Sequence, residues 1–297
     1  MAQYLVEDTD LNSIADAIRE KAGRTETLRF PNGFKEAISG IGGGATEPYI
    51  EETYDSSGNL IDAKMVGYTK IRDGVFKECS KLALISVPDS VTVIGNFAFQ
   101  SCVSLALTNL PSSITSIGQN AFLGCTNLAL TSLPSGVTLI GSGAFQKCPN
   151  LALTSLPSGI DHINSYVFYG CASLALTSLP SSIISIGEFA FRDCPNLALT
   201  SLPSGVTLIG NSAFYNCSKL ALTNLPSSIT AIGNNAFRSC TGLTSITFES
   251  KPRTIQSNAF YGCTNLTTIN VPWAEGAVAD APWGATNATI NYNYTGA

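Results

Sequence analysis

Charge is what this 297-residue chain has least of: 16 Lys and Arg with 21 Asp and Glu make up 12% of it, about half the usual share of a soluble domain. Between Ile94 and Gly187 the only charged residues are Lys147 and Asp161. A surface so poor in charge is wetted by Ser, Thr, Asn and backbone. It has no cationic stripe to neutralise phosphate or anionic lipid, which excludes nucleic acid and membrane surfaces as partners. Histidine is nearly missing too. With His162 alone, zinc sites built on several imidazoles and most His-centred catalysis are excluded, so no catalytic residue, metal or cofactor is expected. No apolar run approaches the ~18 residues of a membrane span. Glu7, Asp8 and Asp10 interrupt the place where the apolar region of an export signal would lie, so assembly in the cytoplasm is expected.

What is present is a ruler. Cys79, Cys102, Cys125, Cys148, Cys171, Cys194, Cys217, Cys240 and Cys263 are spaced by 23 residues throughout, which marks a repeat and not a disulfide framework. Phe stands three places before each cysteine (Phe76 to Phe260), Leu three after (Leu82 to Leu266), and Ile eight before (Ile71 to Ile255). Proline follows nine places later except in one unit, where Glu249 replaces it. A unit this short cannot close a core alone, so the nine units are expected to stack as turns of a β-rich solenoid with Ile, Phe, Cys and Leu columns inside. Gly after Ile (Gly95, Gly118, Gly141, Gly187, Gly210, Gly233) is expected to take positive φ at a corner. Proline is expected to stop the strand.

The A-F-x-x-C-x-x-L and L-P-S-S-I-T-x-I-G signatures resemble the BspA-like leucine-rich repeat family, from Ile71 to about Pro272. That resemblance implies a leucine-rich repeat solenoid and an adhesive or protein-interaction role. In one respect the chain departs from the pattern. Apolar residues at three, six and eight after cysteine, as in Leu243, Ile246 and Phe248, become three, five and eight in units two to seven, as in Leu105, Leu107 and Leu110. Strict alternation cannot point all three inward, so a bulge or early turn is expected beside Thr108, whose own orientation the spacing leaves open.

The ends divide the chain further. Residues 1–41 hold two amphipathic helical patterns, L-N-S-I-A-D-A-I-R-E-K after an N-cap at Thr9 or Asp10, and P-N-G-F-K-E-A-I-S-G-I. Residues 42–48 read as a Gly-rich linker, 49–70 as a β-hairpin cap turning at Asp55 to Asn59, 71–272 as the solenoid, and 273–297 as a C-terminal cap with a last strand and Trp273 and Trp283 packed on the end. The order L-N-S-I-A-D-A-I-R-E-K-A-G, then L-R-F-P-N-G-F, then glycines, resembles the N-terminal segment of tail-associated proteins from phages of Gram-positive hosts. It implies attachment to a virion, or self-association, through residues 1–41.

Two surface features invite a functional reading. Five places before cysteine stand Phe97, Tyr166 and Phe189; two places before stand Tyr169, Arg192, Tyr215, Arg238 and Tyr261. Exposed aromatics and Arg supply contact energy at interfaces and suit stacking on sugar rings, whereas packing along the column would make them structural. The Asp161-His162 pair lies in a degenerate unit with Asn164 in the glycine position; it lacks a nucleophile and an orienting third group, so it reads as surface, or as a ligand contact. The cysteines read as a structural ladder of buried free thiols. The leading expectation is a non-enzymatic phage tail or tail-fibre-type protein, located in the virion, whose solenoid binds a host surface protein or glycan. The alternative is a bacterial cell-surface adhesin.

Overall fold

A computed structural model describes residues 48–296. The helical segment 1–41 and nearly all of the linker 42–48 lie outside the described residues. The first strands form a hairpin, β1 (Tyr49–Tyr54) and β2 (Leu60–Val66), antiparallel and joined by a turn that Asp55 closes through bonds to the Ser57 and Asn59 amides. These bonds, with the Asn59 side chain foremost, hold the Asp55 carboxyl below its ordinary range. Strand β2 continues in parallel register onto the first turn, burying Ala63 and Met65.

The Ile column builds one wall. Strands β3 (Lys70–Ile71), β4 (Leu84–Ser86, the partner of β2), β5 (Val93–Ile94), β6 (Ser116–Ile117) and β7 (Leu139–Ile140) come next in the chain, and β3, β5, β6 and β7 pair parallel with Ile beside Ile. A second run begins with β8 (His162–Ile163), β9 (Ser185–Ile186) and β10 (Leu208–Ile209). After β11 (Asn224–Leu225) it continues with β12 (Ala231–Ile232) and, after β13 (Ser245–Phe248), with β14 (Thr254–Ile255). The last strands, β15 (Thr268–Asn270) and β16 (Thr289–Asn291), join β11 and β13 in the opposite wall. Strand β16 pairs parallel with β15, so the expected cap strand adds a tenth turn to the solenoid.

Inside, the columns fill as the repeat requires. The Phe rings from Phe76 to Phe260 stack with centroids 5.2 to 5.8 Å apart and planes within 12°. Each buried ring contributes about 1.5–3 kcal/mol by burial, with about 0.5–1.5 kcal/mol more for a favourable aromatic pair. Beyond Phe260 the stack ends on Phe248, Trp273 and Trp283, and Trp283 is fully buried with its indole N–H donating to the Ala279 carbonyl. Every cysteine is a free thiol, and all but the half-buried Cys79 are buried. Each of the eight donates from Sγ to the carbonyl of the Phe one turn back at 2.9 to 3.0 Å, as Cys102 to Phe76. A small apolar side chain with a weak donor therefore suits this column better than Ala or Val. Burial pushes Cys102, Cys148 and Cys263 up to about 12, and the thiols between them are likewise raised.

The glycine column corrects an expectation. Gly95, Gly118, Gly141, Gly187, Gly210 and Gly233 do not take positive φ. They are small because the turns touch there: each N–H donates to the Ile carbonyl one turn back at 2.7 to 2.8 Å. A Cβ at Gly141 or Gly233 would lie 2.5 Å from a backbone nitrogen of that turn, with no room to give. Asn164 shows what a side chain does at this position. Its Nδ2 takes the Ile140 carbonyl at 2.7 Å in place of a backbone N–H, and the Ile wall divides there between β7 and β8. The widest ring spacing, 5.8 Å between Phe145 and Phe168, falls at the same step.

The opposite wall resolves the spacing question. In β13 the three, six and eight pattern buries Ile246 and Phe248 in regular alternation. With three, five and eight, Leu128, Leu130 and Leu133 turn inward while Thr131 and Ser132 both face out, so alternation fails. Among the described residues no strand forms on this wall between β4 and β11. The turns are tied instead by a single amide, as Ala129 to the Leu107 carbonyl at 3.1 Å. Thr108 and its equivalents are exposed. Glu249, in the proline position, accepts from Asn224 Nδ2 at 2.5 Å and the Ser227 amide at 3.1 Å, bracing the turn before it.

Candidate interaction surface

Two left-handed residues per turn shape the segment that carries the surface aromatics. The first lies five places before cysteine: Gly74, Phe97, Asn120, Gly143, Tyr166, Phe189, Ser212 and Asn235 have φ between 52° and 65°. Their amides reach forward to the next turn, as Tyr166 to the Glu188 carbonyl at 2.9 Å and Phe189 to Asn211 at 2.9 Å, so stacking imposes the conformation. Gly and Asn adopt it at little cost, but a bulky ring there costs about 1 kcal/mol or more. Phe97, Tyr166 and Phe189 are held in it nonetheless.

The second left-handed residue stands one place before cysteine, as Gly170, Asp193 and Asn216. Between the two, the column two places before cysteine forms a ladder in the C-terminal half. The Arg192 guanidinium lies 5.5 Å from the Tyr169 ring centre, 4.7 Å from Tyr215 and 5.3 Å from Phe189. Arg238 lies 5.5 Å from Tyr215 and 4.7 Å from Tyr261. Tyr166 stacks on Phe189 at 4.9 Å and meets Tyr169 at 6.4 Å. The structure therefore joins seven of the eight expected residues in one continuous array; Phe97 stands apart, between Gly74 and Asn120 in its column. Such cation–π contacts are worth about 0.5–1 kcal/mol each when partly exposed.

The expectation of exposed side chains needs correction. Only Tyr261, 48% accessible, is exposed; the other members are half-buried. Their ring faces are taken up by one another, because consecutive turns place like positions one strand spacing apart. Inner rungs present edges, hydroxyls and guanidinium N–H groups, and cannot offer a free face to a sugar. Arg192 is further held by Asp193 at 3.3 Å, which in turn accepts from Asn216 Nδ2 at 3.0 Å.

The Asp161-His162 pair has a partner that sequence reasoning missed. The register sets His162 beside Ser185, and Nδ1 lies 2.6 Å from Ser185 Oγ, while Nε2 lies 3.8 Å from Asp161 Oδ1. The signal was available, since residue 185 follows 162 by one repeat. The group lies open on a flat wall, with the His and Asp side chains 45% and 66% accessible, so nothing excludes water or orients a substrate. Among the described residues no cluster of three or more His, Cys, Asp or Glu could hold a metal, and no helix is long and apolar enough to cross a membrane. A recess of about 400 Å³ lies elsewhere, between Ile85, Val87, Asp89, Leu107 and Leu110.

A parallel stack of 23-residue turns, its Ile wall divided once where asparagine replaces glycine, with an arginine-tyrosine flank, defines a β-solenoid of the leucine-rich repeat class. The model of the family described as "BspA type Leucine rich repeat region" matches residues 51–175 and 161–275. The chain belongs to that family. A leucine-rich repeat protein from Bacteroides ovatus is similar in structure, with a TM-score of 0.57 and 25% identity over 84% of this chain and 76% of its own. So is a leucine rich cell surface protein from Faecalibacterium prausnitzii, with a TM-score of 0.50 and 21% identity over 86% of this chain and 97% of its own; that likeness is one of fold. No curated protein matches the chain.

Proposed function

We propose that this chain is a non-enzymatic interaction module of the bacterial cell-surface type, in which a rigid, nearly neutral solenoid presents a contact surface to a partner protein or glycan. The observation that carries this reading is the Tyr-Phe-Arg array of the outer columns, the residue types that supply contact energy at interfaces, on a stack whose family is one of leucine-rich repeats. The tail-protein reading rests on residues 5–41 alone, which lie outside the described residues and outside the matched span. The repeat family favours the surface module over it.

Antibody labelling of intact producing bacteria tests the choice. Label on the surface of intact cells supports the module; label confined to released particles, lost when residues 1–41 are deleted, supports the tail protein. Binding by the purified chain is expected to change little between low and high salt, because so few charges are available to be screened. A steep loss with salt counts against a neutral contact surface.

A further inference from the structure

Resting on the interaction-module reading but not on the array, we propose that the seam between the first and second turns is a docking pocket for a segment of a partner protein in which Lys or Arg stands beside an apolar residue. The aliphatic stem of the basic side chain fills the recess with its charge on Asp89, and the apolar neighbour lies on Leu84. The seam follows from register. Strand β4 pairs with β2 so that Ile85, six places after cysteine, stands beside the buried Ala63, and Leu84 is turned out, 62% accessible. From the third turn to the seventh the leucine five places after cysteine, Leu130 to Leu222, points inward instead and is at most 1% accessible. Where the two arrangements meet, Leu107 and Leu110 do not close against β4, and Ile85, Ser86, Val87 and Asp89 form the other side of the recess of about 400 Å³.

The chain contains its own control. Residues 105–115 and 220–230 are the same eleven residues, L-A-L-T-N-L-P-S-S-I-T. The later copy also meets a turn of the other arrangement, and there the seam is closed: Phe248 of the next turn is buried, Glu249 holds Asn224 and the Ser227 amide, and Leu222, Leu225 and Pro226 are buried. At the earlier copy Leu107, Leu110 and Pro111 stay half-buried, and the Asn109 side chain and the Ser112 amide have no partner among the described residues. The same side chains are covered in one place and not in the other, so the first seam lacks a cover. Charge and side-chain type select it. The carboxylates of Asp89, on the rim, and Asp62, beside Leu84 in the β2–β4 register, have no ion pair or hydrogen bond among the described residues, whereas Lys64 is already held by Glu51 at 3.1 Å. A seam acidic at its edges and aliphatic inside fits Lys or Arg, whose stem is apolar and whose head is charged. With no aromatic ring in its walls, it offers a sugar no stacking surface.

A displayed library of random short peptides is selected on the immobilised full chain, and the most enriched peptide is titrated by calorimetry. Enriched sequences are expected to share a Lys or Arg next to Leu, Ile or Phe; a selection that yields no peptide, or peptides without that pair, overturns the pocket. Leu84→Ser should weaken the titrated peptide by about tenfold, as loss of a buried leucine contact implies. Asp89→Asn should weaken it several-fold and abolish its preference over the same peptide with Gln in place of the basic residue. Both residues are exposed, so the melting temperature should hold. Leu139→Ser removes a leucine 53% accessible on the Ile wall and, as the control for general adhesion, should change nothing. Unchanged binding by either seam variant, or an equal loss with Leu139→Ser, overturns the site. So does a dimer of the chain in sedimentation that Leu84→Ser dissolves, since a second copy is then the cover. A chain that selects no such peptide yet is labelled on intact producing cells loses this pocket and keeps the surface-module reading; one that does neither loses both.

Discussion

Inside, the turns are nearly copies of one another; outside, they diverge. Phe, Cys, Leu and Ile recur in every turn because each must fit against its own equivalent one strand spacing away, and a misfit is felt on both sides. The outer columns have no such neighbour constraint on their far side. There Lys77, Gln100, Leu123 and Gln146 occupy the place that becomes an alternating Tyr and Arg ladder from Tyr169 onward. Interior uniformity is thus enforced by packing, and the exterior is where this chain differs from a generic stack.

Four measurements can break that contrast. The largest effect should come from alkali. The buried thiols are raised in the folded chain, so below about pH 9 they are protonated in both states and their contribution is complete. Above it the unfolded chain loses protons that the folded chain keeps, so each such thiol weakens the fold as pH rises. Eight acting together should bring the melting temperature down steeply between pH 9 and 11, and replacing several of them with Ala should flatten that fall. A curve that stays level to pH 11 refutes the buried ladder, as would rapid labelling of most thiols in native protein at neutral pH.

Next in size is Phe168→Ala, which opens the middle of the ring stack and should cost about 3–5 kcal/mol in denaturant unfolding. Gly187→Val against Thr177→Val is the paired test of inside and outside. At Gly187 a Cβ would lie 2.6 Å from the Ser165 nitrogen, so a loss of about 2 kcal/mol is expected; at exposed Thr177 the same residue should change stability by less than about 0.5 kcal/mol. Equal effects at the two sites would erase the distinction. The smallest shift belongs to Asn164→Gly, which restores the inter-turn amide and should stabilise by about 0.5–1 kcal/mol, with new hydrogen-exchange protection at residue 164.

Much of this was legible in the one-dimensional pattern, and the failures have physical reasons. A strict period says which residues share a column, so the Cys, Phe and Leu interior, the hairpin over the first turn and the tryptophan-closed end could be read directly. Glycine after Ile reads from sequence as a positive-φ corner, and that reading fails: the positive φ sits two residues later, at Asn120 or Tyr166, and crowding governs Gly118. The bulky rings at that second position hid it, since such residues rarely signal left-handed backbone. Likewise the aromatic columns were visible as residue types, but their exposure was not.

The sequence by itself determined the repeat, its register and the membership of every column, because a 23-residue period without insertion leaves a stack no other way to align its apolar positions. Only the tertiary structure decided how members of a column meet. Whether Arg192 faces solvent or lies over Tyr215, whether His162 finds Ser185, and whether Tyr166 stacks on Phe189 depend on side-chain direction against the neighbouring turn. That direction is set by backbone angles and contacts one strand spacing away, which residue identity and spacing do not encode.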